Sequence, residues 1–243
     1  MAELILALDL PTRDAALRLL DRLPALRWVK LGSVLMTSEG PPLVQELVAR
    51  GLRVFLDLKW HDIPNTVAGA VTAAGELNVR MATVHASGGP EMLRAAAAAA
   101  PDSLALVGVT VLTSHLHLPP TDSTDDTEKS TESPSVESVK SVGNQLGNVV
   151  DRLARLVLKA GLAGVVCSAL EVARLRQLLG PNPLIVVPGI RRPGDDPGDQ
   201  KRTGGPAEVA KAGATHLVVG RPILQAPDPA AALSDFLDEL NTA

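Results

Sequence analysis

Cysteine is almost missing from this chain of 243 residues: Cys167 is the only one, so no internal disulfide can form, and no Cys/His cluster has the spacing of a zinc site. Long apolar runs are missing too. Nothing approaches the roughly 18 consecutive residues that a membrane span needs, and the N-terminal "MAELILALDL" has neither a charged n-region nor a cleavage site. The expectation is a cytoplasmic protein that neither crosses nor binds a membrane. An excess of basic charge is also lacking. A net charge of −4 argues against a broad nucleic-acid surface, so an anionic substrate must be met by a local cationic pocket. What is present in quantity is apolar side chain, 46% of the residues, enough for a sizeable core.

Short runs rich in Val, Leu and Ile alternate with longer amphipathic or alanine-rich segments, the pattern of βα units around a parallel sheet. Eight strands are expected: "LILALD" (4–9), "WVKLG" (28–32), "RVFLDLK" (53–59), "MATVHA" (81–86), "LALVGVTVL" (104–112), "GVVCS" (164–168), "LIVVPG" (184–189) and "HLVVGR" (216–221). Most begin about 25 residues apart, and eight such units are what a closed (β/α)₈ barrel requires. The count favours one α/β barrel domain over residues 1–243, rather than a doubly wound sheet. One stretch after the fifth strand breaks the rhythm. Residues 119–142, rich in Ser, Thr, Asp, Glu and Lys, have hardly an apolar anchor. They fit an active-site lid by place, but by composition a solvated, disordered insertion.

The chemistry concentrates in "FLDLKWHDIPNTV", residues 55–67, which sets Asp57, Lys59 and Asp62 together as an apolar run stops. Residues two apart in a strand share a side, so Asp57 and Lys59 are expected to project together, at the strand end where barrels meet substrate. Taken singly, the pair reads as a salt bridge and Asp62, ahead of Pro64, as a helix cap. Asp9 at the end of the first strand and Lys30 within the second repeat the pattern. Charges inside apolar strands are costly unless paired, and four together point to a site. "PGIRRPGDDPGDQKRTGGP" and "LVVGRPIL" follow the seventh and eighth strands, where such barrels hold phosphate groups; Arg191, Gln200 and Arg221 are the candidate ligands. Cys167 reads as a small buried hydrophobe, His85 as a pocket neighbour and His61 as a surface residue beside the site.

"LDLKWHDIPNTV" resembles the D-x-K-x-x-D-I-P-N-T signature of the orotidine 5′-phosphate decarboxylase family, and "ALD", "VKLG", "VTVLTS", "PGIR…GDQ" and "LVVGRPI" resemble its further motifs in order. The resemblance implies a dimeric (β/α)₈ barrel that converts orotidine monophosphate to uridine monophosphate with no metal and no cofactor. It implies that Lys59 donates the proton within an array of Lys30, Asp57, Lys59 and Asp62. Asp9 and Lys30 then contact the ribose, Thr113 the pyrimidine, and Arg191, Gln200, Gly220 and Arg221 the phosphate region, while Asp62 and Thr66 reach into the neighbouring subunit's site. The family commonly follows "PGIR" with proline; here Arg192 intervenes, and Arg191 is kept because its separation from Gln200 fits the motif. Two alternatives stand beside this reading. One is a magnesium-dependent sugar-phosphate decarboxylase or aldolase of related barrels, whose D-x-K-x-x-D element continues with glycine rather than "IPNT". The other is a catalytically silent nucleotide-binding barrel, expected to have lost the lysine or an aspartate.

Overall fold

The computed structural model describes residues 2–113, 136–192, 194–195 and 202–242, residues 136–144 by their backbone alone. Eight parallel strands close into a barrel in sequence order: β1 (Glu3–Ala7), β2 (Trp28–Gly32), β3 (Arg53–Trp60), β4 (Met81–His85), β5 (Ala105–Val109), β6 (Gly164–Val166), β7 (Leu184–Val187) and β8 (His216–Val219). The eight expected strands are the eight observed. Several stop one to three residues short of their expected C-terminal ends, and residues just beyond them, among them Asp9, Leu112, Gly189 and Arg221, line the mouth.

Helices follow the strands on the outside: α1 (Arg13–Leu20), α2 (Ser33–Ala49), α3 (Pro64–Glu76), α4 (Gly89–Ala99), α5 (Val136–Lys159), α6 (Val172–Leu179), α7 (Pro206–Lys211), α8 (Arg221–Leu224) and α9 (Pro229–Asn241). Local chemistry sets their ends. The Thr12 hydroxyl accepts the Ala15 N–H at the start of α1, and the Asp228 carboxylate accepts the Ala230 N–H at the start of α9. Helix α2 is broken at Gly40, whose φ of 66° suits glycine, and Pro41 and Pro42 open its second half, where a missing N–H does no harm. Residues 136–142, at the end of the expected polar insertion, form the opening turns of α5, while 119–135 lie outside the described residues. No described helix is long and apolar enough to cross a membrane.

Strand alternation divides the core into two layers. Ile5, Trp28, Phe55, Met81, Val107, Val186 and Val218 fill the barrel interior. Their immediate neighbours Leu4, Leu6, Val29, Val54, Leu56 and Ala82 point outward against the helices. Below, Glu3 closes the barrel, accepting a hydrogen bond from the Trp28 indole at 2.8 Å and pairing with Arg53 at 2.8 Å. Above, the same inward parity carries past Ala7 to Asp9, past Trp28 to Lys30 and past Phe55 to Asp57. Between the polar base and those residues the interior is mainly apolar, and from those residues on it is charged.

Candidate active site

A cavity of about 720 Å³ opens at the C-terminal mouth, with Ala7, Phe55, Val166 and Val218 as its apolar floor. Asp9, Lys30, Asp57 and Lys59 line it, as do Thr113, Arg191, Gly220 and Arg221. Eight of the residues expected from the sequence therefore share one chamber. Asp62 and Thr66 are exposed outside it, and Gln200 lies outside the described residues.

The four charges of the first three strands form a chain of contacts. The Lys30 ammonium is 3.1 Å from Asp9 Oδ1 and 3.7 Å from Asp57 Oδ2, and the Lys59 ammonium donates to both Asp57 oxygens at 2.9 and 3.0 Å. Lys30 and Asp57 are 12% and 13% exposed at their side chains, so each depends on the other's charge. Lys59 is more open, at 38%. Gly32 makes room for this chain: a Cβ there would sit 3.1 Å from the Lys30 ammonium. Asp9 extends the chain at its Lys30 end, and the Lys59 end, where Asp62 of a neighbouring subunit is expected, has no further carboxylate from the described residues of this chain. The Asp62 carboxylate instead accepts its neighbour Ile63's N–H at 2.6 Å and pairs with no described cation of its own chain.

Strand alternation alone does not deliver Lys59. Leu56 pairs with Ala82 and Trp60 with Val84, so the three residues 57–59 face the single residue Thr83. This is a bulge with two extra residues. Lys59 sits in it at φ 53°, a left-handed conformation that costs a side-chain-bearing residue about 1–2 kcal/mol. Its N–H is satisfied by the Thr83 hydroxyl at 2.8 Å, and that hydroxyl donates to Asp57 Oδ1 at 3.1 Å. Thr83 was not among the expected residues; a threonine inside an apolar β run reads as an ordinary strand former.

The wall after β7 and β8 is built differently. Gly189, at φ 75°, turns the chain out of β7, and Arg191 bonds through its N–H to the Gly204 carbonyl at 3.1 Å. Arg191 lines the cavity, whereas Arg192 turns away to Glu239 at 2.6 Å and stacks on Phe236 of α9. Arg202, almost fully buried, binds Glu171 and donates to the Leu112 carbonyl at 3.0 Å, tying the loop after β7 to the end of β5 beside Thr113. It too escaped the sequence reading, which had no means of seeing its partners.

The remaining candidates are bystanders. Burial pushes the Cys167 thiol well up, and the nearby Glu171 adds to this, so it is not a thiolate nucleophile. His85 is held below the usual histidine range, first by burial and then by His61 and Lys59, and its ring stacks on His61 at 5.4 Å. No three His, Cys, Asp or Glu side chains are grouped to hold a metal among the described residues.

A family model described as "Orotidine 5'-phosphate decarboxylase / HUMPS family" matches residues 2–236. The chain is 44% identical over 245 residues to the orotidine 5'-phosphate decarboxylase of Shewanella sediminis, covering 98% of this chain and 97% of that protein. It is 46% identical over 241 residues to that of Chromohalobacter salexigens, covering 98% and 95%. The crystal structure of orotidine 5'-phosphate decarboxylase from Lactobacillus acidophilus superposes with a TM-score of 0.77 at 32% identity, over 99% of this chain and all of that one. With its closed barrel, its charged mouth and these relatives, the chain belongs to the orotidine 5'-phosphate decarboxylase / HUMPS family.

Proposed function

We propose that the protein decarboxylates orotidine 5′-phosphate to uridine 5′-phosphate and CO₂ without a metal or cofactor, with Lys59 as the proton donor. The observation that carries this is the Asp9–Lys30–Asp57–Lys59 chain of ion pairs set above an apolar floor. When the C6–carboxylate bond breaks, its electron pair stays on C6 in the ring plane, where no adjacent carbonyl can delocalise it. A fixed ammonium beside C6 stabilises that charge and then transfers its proton to C6. Asp57 holds the ammonium aimed, accepting from it through both carboxylate oxygens. The Lys59 amine afterwards regains a proton from water.

Arg191, Gly220 and Arg221, with Gln200, bind the phosphate in this reading, and Thr113 the pyrimidine. Asp9 and Lys30 hold the ribose. Contacts to a phosphate that does not react can stabilise a closed, water-excluding site, so that remote binding energy lowers the barrier at C6. The enzyme acts as a homodimer in which Asp62 and Thr66 complete the partner's site. Ile63, 66% exposed between them, supports this. So does the adjoining groove lined by Ala86, Leu153 and Leu156 and rimmed by Arg152 and Arg155, a surface suited to a second copy. Its substrate is a charged nucleotide that does not cross membranes unaided, so the enzyme is a cytoplasmic one.

The test is loss of absorbance on adding orotidine monophosphate to chelator-treated protein. Decarboxylation undiminished by EDTA and abolished in Lys59→Ala is the expected result. Activity that disappears with chelation and returns with magnesium would transfer the protein to the sugar-phosphate branch, against which its "IPNT" continuation argues.

A further inference from the structure

Within the barrel interior Thr83 is out of place. It is fully buried, its strand neighbour in the same layer is Met81, and the residue paired with it across β4 and β5 is Val107. Valine would fill the same volume without a hydroxyl to satisfy. That hydroxyl bonds twice, and both partners belong to the charged chain: it accepts the Lys59 N–H at 2.8 Å and donates to Asp57 Oδ1 at 3.1 Å. Thr83 is also the only β4 residue facing the bulge formed by residues 57–59. In a regular parallel ladder a backbone carbonyl of β4 would take an N–H of β3; here a side chain does so, at a Lys59 in the left-handed φ of 53°.

We propose that Thr83 is the positioning residue for Lys59. Its single hydroxyl locks the backbone turn that carries the ammonium and, on the same oxygen, fixes the carboxylate that the ammonium faces. The donor and its counter-ion are thereby indexed to one point on the neighbouring strand. This rests on Lys59 being the proton donor. Without the hydroxyl the Lys59 N–H loses its partner, the turn relaxes towards an extended conformation, and the ammonium drifts from the place where charge develops. Ground-state binding through the ribose and phosphate contacts is left largely as it was, because the two bonds of the Thr83 hydroxyl go to Lys59 and Asp57 and not to those residues.

Three variants of the full-length protein separate hydroxyl from packing. Thr83→Val keeps the shape and loses the hydroxyl, Thr83→Ser keeps the hydroxyl and loses a methyl, and Thr83→Ala loses both. In Val and Ala, kcat for orotidine monophosphate is expected to fall about 10- to 100-fold, the effect of displacing a reacting group by about 1 Å. KM and the affinity for uridine monophosphate should stay within about threefold of wild type, since only a transition-state contact is lost. Serine should restore kcat to within about threefold of wild type. The Lys59 amide should be protected from hydrogen exchange in wild type and Ser and lose that protection in Val and Ala. If the Val protein does not fold, the Ser and Ala pair still decides, because those two differ by the hydroxyl alone. Wild-type kcat in Val, or equal losses in Ser and Ala, would overturn the proposal. So would a parallel loss of uridine monophosphate affinity in every variant, which marks collapse of the site. Failure of the underlying reading has a different signature: a wild-type protein inert towards orotidine monophosphate, with the amide-exchange pattern still intact.

Discussion

Asp57→Asn isolates the charge at the centre of the site while keeping its shape. The carboxylate lies 2.9 Å from the Lys59 ammonium and 3.7 Å from that of Lys30. At an effective dielectric near 20, these contacts are worth about 6 and about 4.5 kcal/mol before desolvation is counted. The net loss is much smaller. Asp9 still holds Lys30, and Lys59 is open to water, so the variant should lose about 2 kcal/mol of stability, some 4–8 °C in melting temperature for a domain of this size. Turnover should fall at least about a hundredfold, since the ammonium loses its anchor. Substrate binding should move the other way. A substrate carboxylate about 4 Å from Asp57 is repelled by about 4 kcal/mol at that dielectric, and the two lysines cancel part of this. A residual of about 1.4 kcal/mol makes orotidine monophosphate bind about tenfold tighter in the Asn variant, relative to uridine monophosphate. Affinities are best read by calorimetry in a Lys59→Ala background, where substrate survives the measurement. If the ratio of the two affinities is the same with Asp and Asn at position 57, repulsion of the substrate carboxylate is not how Asp57 acts.

Lys59→Ala and Asp62→Ala, each inactive alone, should regain roughly a quarter of wild-type activity when equal amounts exchange subunits, because about half the dimers are mixed and each has one intact site. No recovery despite exchange confirmed by mass spectrometry would mean that Asp62 acts within its own chain. At the base of the barrel, His216 is held below its ordinary 6.5 by burial, with Arg53 adding to this and Glu3 opposing it, so the unfolded chain takes up the proton first. Its contribution is therefore complete above pH 6.5 and is lost as pH falls towards the lower folded value. Thermal melts between pH 7 and 5 should show a shallower decline for His216→Gln than for wild type; identical slopes would refute this.

The barrel was legible because each strand combined an apolar run with turn signals at a regular spacing, and its inward parity could be counted from Phe55 to Asp57 or from Trp28 to Lys30. Counting fails where the backbone stops alternating. Lys59 reaches its place through a positive φ that no residue pattern announces, and Thr83 is recognisable only once two extra residues of β3 lie across from it. The doublet Arg191 and Arg192 was ambiguous for another reason. Their sorting depends on Phe236 and Glu239, more than forty positions along the chain, which hold Arg192 against α9. Composition and periodicity overlap at the end of the polar insertion, where Val136, Val139 and Val142 recur at a helical interval and α5 begins.

The bulge in β3 links these observations to the division of labour within the site. A regular strand would have carried residues 57–62 onward in strict alternation, putting Asp57, Lys59 and His61 on one face and Asp62 on the other. The two extra residues turn the chain instead. Lys59 folds back over Asp57, and the chain leaves the ladder at Trp60, so that Asp62 and Ile63 stand exposed ahead of Pro64 and α3. One local irregularity thus separates the charges a chain keeps in its own mouth, Asp9 to Lys59, from the carboxylate it presents outward. The left-handed Lys59 is the cost of that separation, about 1–2 kcal/mol that the surrounding aliphatic core must absorb. Relaxing the turn would therefore be expected to stabilise the fold while it disperses the site, and a strained lysine anchored by a buried threonine is the arrangement in which both can persist.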